Sequence, residues 1–191
     1  MSTGRSRHSS RASIGSRKSI GGQSNGHIHE EPIPVEVENI TKFRLLRPGD
    51  HLAVAGDLHG EEYWYHGIFI SFTRGVIDFR GEDLDEPYEG VLERKALLRV
   101  VDVLEYTDTS KDRLVRVHPP PEVCRPPDEV IAAAEHLLEN PDEFGHHNFV
   151  TNNCQHFATF CKTGRKAPLV GFAEGVHHLN SPVELWRCNI M

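Results

Sequence analysis

The run WYHGIFISFTRGVIDFRG, from Trp64 to Gly81, constrains the fold more than any other part of the chain. Aromatic and β-branched residues crowd both of its halves, as a pleated and half-buried surface requires, and Thr-Arg-Gly between them reads as a tight turn. The two halves are expected to form an antiparallel hairpin. HLAVAG, from His51, reads as a neighbouring strand entered through the Pro48-Gly49 turn, and ALLRVVDVLEY and DRLVRVH read as further strands. A proline-rich connector, HPPPEVCRPPDE, ends this pattern, and helical spacing follows. Val130, Ile131, Ala134, Leu137 and Leu138 define one helix, with Asp128 as its expected cap and Asn140-Pro141 as its stop. A second helix is expected from Cys154 to a glycine stop at Gly164. Strands first and helices after predict an α+β domain with a small antiparallel sheet.

Charge is distributed unevenly. Residues Met1 to His29 carry five Lys and Arg and no acid, which leaves sixteen basic against twenty-eight acidic residues in the remainder. An acidic body excludes nucleic acid as the main ligand, because such surfaces concentrate Lys and Arg on the folded domain; a basic segment suits anionic lipid. The Ser, Gly and Arg composition of this segment buries too little apolar surface to offset ordering, so residues 1–40 are expected to be a disordered basic tail. No apolar run is long enough to cross a bilayer, and the four cysteines show no CxxC pairing, which suits free thiols in a reducing compartment. No metal or other cofactor is expected.

The stretch TNNCQHFATFCKTG raises the question of the Cys154 thiol. A helix start and a nearby histidine both favour thiolate, so a Cys154 in the first turn, capped by Asn152 or Asn153, is a candidate nucleophile. Asn153 and Gln155 are candidates for the cap and for holding an oxyanion. His66 lies on an otherwise apolar strand and Asp78 on the returning one, so His66 is a candidate base and Asp78 its orienting partner. The plainer alternative is that Cys154 is a small buried hydrophobe, His66 a satisfied core histidine and Asp78 a surface acid.

Three pieces in order, LRPGD, HGIFI…VIDF and NNCQHFATFCKTG, carry a resemblance to the lecithin:retinol acyltransferase (LRAT)-like proteins, among them the H-Ras-like suppressor phospholipase/acyltransferases. The resemblance spans residues 45–168. It implies a circularly permuted papain-like (NlpC-like) domain and thiol-dependent transfer of acyl groups from glycerophospholipid esters through a thioester on Cys154. The family usually has a second histidine where this chain has Asp78, and Glu where it has Gln155. Aligned on Gly-Ile-Phe, Tyr65 falls in the usual histidine slot with His66 one residue later; a β-bulge would restore the facing. The alternative function is a catalytically weak LRAT-like module that associates with membranes.

Residues 169–191 form a C-terminal tail ending in Cys188-Asn189-Ile190-Met191, a CaaX-like motif of the farnesylated type. One prenyl chain anchors marginally, and the basic tail would supply the second contact. The expected partner is a phospholipid membrane, and the expected location is cytoplasmic, peripheral on the cytosolic face of a membrane. Neither the acyl acceptor nor the oligomeric state is encoded in these motifs.

Overall fold

A computed structural model describes residues 30–58, 61–81, 93–94, 96–108 and 113–179. Its strands, in chain order, are β1 (Ile33–Pro34), β2 (Glu36–Asn39), β3 (His51–Leu58), β4 (Glu61–Ser71), β5 (Gly75–Gly81), β6 (Glu93–Arg94), β7 (Ala96–Val101), β8 (Leu114–His118), β9 (His147–Asn148) and β10 (Leu169–Val170). The helices are α1 (Val103–Thr107), α2 (Pro127–Glu139), α3 (Cys154–Thr163) and α4 (Phe172–His178).

Six strands form one antiparallel sheet in the order β2-β8-β3-β4-β5-β7. The expected hairpin, β4 and β5, lies inside this sheet and is joined by a tight turn that needs Gly75 at φ 82°. Side chains alternate across each strand, so the sheet has two apolar faces. On one face Ile68, Ile77, Phe79 and Leu98 pack against Val130, Ala134 and Leu137 of α2 and Phe157, Ala158 and Cys161 of α3. Further along that face Ala53, Val115 and Val117 pack against Phe172 and Val176 of α4. The opposite face buries Leu52, Val54, Phe69 and Val76 beneath Tyr106 of α1 and Ile40 and Leu46. The domain is α+β, with the histidine-bearing hairpin ahead of the cysteine helix, as expected.

Four expectations need correction. Residues 33–39, placed in the tail, form β1 and β2, because β10 and β8 offer them edges to pair with. Residues after 168 continue into β10 and α4. VLEYT is helical: the Asp102 side chain accepts the Leu104 N–H at 2.8 Å and caps α1. Helix α2 begins at Pro127, with Pro126 at the N-cap position and no side-chain cap, so Asp128 sits in its first turn beside the positive end of the helix dipole. Residues 1–29 and Cys188 lie outside the described residues, and no helix among the latter is long and apolar enough to cross a membrane.

Candidate active site around Cys154

Helix α3 starts as its sequence requires. Asn153, extended at φ −116°, accepts the Gln155 and His156 N–H groups on its side-chain oxygen, and His156 Nδ1 faces the Asn153 N–H at 3.4 Å to complete a capping box. The Asn153 amide nitrogen donates to Phe149 O at 2.8 Å, which ties the preceding loop to the cap. Asn153 is thus the cap; Gln155 contributes its backbone N–H to it. Gly164, at φ 78°, ends the helix. The cap fixes Cys154 as the first helical residue, 3 % exposed.

The sheet opens where the sulfur enters. Strands β4 and β5 pair from Gly67 opposite Asp78 to Ser71 opposite Gly75, with a shift of register between Phe69 and Ser71, whereas Glu61–His66 keep only their β3 register in the described pairing. The freed edge of β4 faces α3. Cys154 Sγ lies 3.9 Å from Trp64 O and 3.5 Å from the Tyr63 hydroxyl, and the His66 backbone N–H also points at it. Burial pushes the thiol above its ordinary range; the His66 N–H and the Tyr63 hydroxyl oppose that push without reversing it.

His66 has its backbone at the sulfur and its ring elsewhere. The ring lies on the face covered by α4, 4.9 Å from the Phe172 ring, and its Nδ1 is 2.9 Å from His51 Nε2. Residues His51 to Leu58 pair with Ile68 to Glu61 without interruption, so no bulge turns the ring back; the irregularity in β4 falls between Phe69 and Ser71, beyond His66. Burial first, and His156 second, lower the His66 pKa to about 3, so the ring is neutral near pH 7.

Asp78 is likewise separated from His66. It is 1 % exposed, and its carboxylate is held by Arg80 at 2.8 Å and Arg99 at 3.0 Å. The expected Cys154, His66 and Asp78 set is therefore not assembled: Asp78 orients two arginines, and His66 pairs with His51.

Other side chains surround the thiol. Tyr63, Tyr65, Arg80, Phe149 and His147 line, with Cys154, a cavity of about 10 Å3. Tyr63 and Tyr65 meet edge to face at 4.9 Å, and the Arg80 guanidinium covers the Tyr65 ring at 4.3 Å. Period-two spacing along β4 was the signal for the Tyr63 and Tyr65 pair, since residues two apart share a face. Opposite position 66 stands Ala53, and His51 lies two residues from it on the same face, yet nothing in the composition of HLAVAG marked His51 as a partner. No group of His, Cys, Asp and Glu among the described residues could hold a metal ion.

Residues 44–167 match the family model described as lecithin retinol acyltransferase. The chain belongs to the LRAT family. That family membership is of the acyltransferase and phospholipase type, with lipids as its substrate class. No curated protein and no solved structure matches the chain. Within the LRAT domain of this chain the hairpin and the thiol helix are both present, and Tyr65 lines the cavity beside Cys154.

Proposed function

We propose that this LRAT domain is a membrane-associated interaction module whose thiol is catalytically weak. The observation that carries the reading is the His66 ring, held by His51 at 2.9 Å on the face under Phe172, while Tyr65 lines the cavity beside Cys154. A buried thiol whose pKa burial raises, with the His66 ring turned away to His51, stays protonated near pH 7 and is a poor nucleophile. The cavity beside the sulfur, about 10 Å3, has room for about one water, whereas ligand pockets run to roughly 300 Å3 or more. The lipid substrate class of the family and the five basic residues before Glu30 support a phospholipid surface as partner, with prenylation of Cys188 as the anchor and the cytosolic face of a membrane as the location.

Release of labelled acyl groups from phosphatidylcholine vesicles tests this. The wild type and Cys154→Ala are expected to release label at the same rate. Tyr65→His is expected to raise the rate by roughly 10²-fold, a typical worth of a positioned base, and Tyr65→His with Cys154→Ala to lose that gain. Wild-type release well above that of Cys154→Ala overturns the proposal.

The capped start of α3 favours a second reading, thiol-dependent acyl transfer. Here the Cys154 thiolate attacks a glycerophospholipid ester, a thioester forms, and the lysophospholipid leaves with the proton. His66 would serve as base and Asp78 would orient it, which requires His66 to leave His51 for the sulfur. In the same assay His66→Ala and Asp78→Ala would then lower release as Cys154→Ala does.

A further inference from the structure

A larger cavity, about 370 Å3, lies between α2 and the C-terminal half of α3 and shares no lining residue with the cavity at Cys154. Its volume is in the range of small-molecule pockets. Ala133 and Leu137 of α2, Phe160 of α3 and Phe144 supply an apolar lining, and Arg125 and Lys166 supply two cations. We infer that this cavity binds an anionic amphiphile, a carboxylate or phosphate head on a short hydrocarbon chain.

The charges around the cavity decide the sign of the ligand. Glu30 and Glu143 also line the cavity; Glu143 shares a hydrogen bond with His136 at 2.8 Å and Glu30 lies 3.6 Å from Arg165, so Arg125, Lys166 and Arg165 set three cations against two carboxylates. Arg125 and Lys166 form no close ion pair with a described carboxylate, although Glu30, in the same lining, acts on the Lys166 charge. Arg125 donates to Phe160 O at 3.5 Å with its guanidinium 5.4 Å from the Phe160 ring centre. Lys166 donates to Phe144 O at 2.8 Å with its ammonium 3.9 Å from the Phe144 ring centre. Both cations therefore spend one donor on a carbonyl, lie over aromatic faces, and keep further N–H groups for an anion. Burial lowers the Lys166 pKa, a penalty that Glu30 offsets in part and that a bound anion relieves further.

At about 30 Å3 per water-sized unit the cavity takes roughly ten to twelve heavy atoms, the size of octanoate. A ligand that small is expected to bind with a dissociation constant on the order of 1 mM. Titration of the full-length 15N-labelled protein tests the site. Octanoate and octyl phosphate are expected to shift the amides of Leu137, Phe144, Phe160 and Lys166, and octanol, octyltrimethylammonium and inorganic phosphate to bind at least fivefold more weakly. Lys166→Met and the cavity-filling Ala133→Phe are expected to weaken octanoate at least fivefold, Lys166→Arg to retain it, and Cys154→Ala to leave it unchanged. Equal binding of octanol and octanoate, unchanged affinity in Lys166→Met and Arg125→Gln, or shifts centred on Tyr63, Phe149 and Cys154 would overturn the assignment.

Discussion

The His51 and His66 rings are 0 % and 2 % exposed, and each serves as the other's hydrogen-bond partner. One ring must donate and the other accept, so the pair is compatible with burial only while it carries no extra proton. Burial, His66, Lys162 and His118 hold His51 well below its ordinary pKa, and burial and His156 bring His66 to about 3. The unfolded chain, in which histidine titrates near 6.5, binds more protons than the fold between those limits. Stability is therefore full above about pH 6.5 and is lost as pH falls toward 3, by up to about 1.4 kcal/mol per pH unit for His66 and with the same sign for His51. Urea midpoints measured between pH 4 and 8 check this, and the double substitution His51→Leu, His66→Leu is expected to flatten the slope.

Local signals in helix α3 and the β4–β5 hairpin agree with the global fold, and for that reason both were legible. Asn153 caps, Gly164 stops, and Cys154, Phe157, Ala158 and Cys161 face the sheet. Asn153→Ala is expected to cost about 1 kcal/mol of folding free energy in urea denaturation, through loss of the cap. Gly75→Ala is expected to cost more, at least 2 kcal/mol, because φ 82° disfavours a side chain and the added Cβ would lie 2.1 Å from Val101 O. Short edge elements were not legible. Glu-Val-Glu-Asn has little strand propensity of its own and becomes β2 by pairing with β8, and Val-Leu-Glu-Tyr reads as strand until Asp102 turns its first amides into a helix cap.

Across the whole molecule, the first strands close the sheet that supports the site. Ile33 and Ile40 are 1 % and 0 % exposed, so a chain beginning at Thr41 forfeits about 2 kcal/mol for each and leaves β8 as an unpaired edge. Its thermal midpoint is expected to fall by roughly 10 °C relative to a chain beginning at Glu30, measured by circular dichroism. The candidate site was legible in its motifs and not in its side-chain directions. Cys154 was identified from its helix start, whereas the fate of His66 depended on an unbroken β3–β4 register that the sequence left open to a bulge. The most direct measurement is the pH dependence of iodoacetamide labelling at Cys154, read by mass spectrometry of its peptide. A buried thiol that the His66 ring does not serve is expected to react slowly at neutral pH, with a rate still climbing above pH 9. A labelling plateau at neutral pH that disappears in His66→Ala would contradict the account.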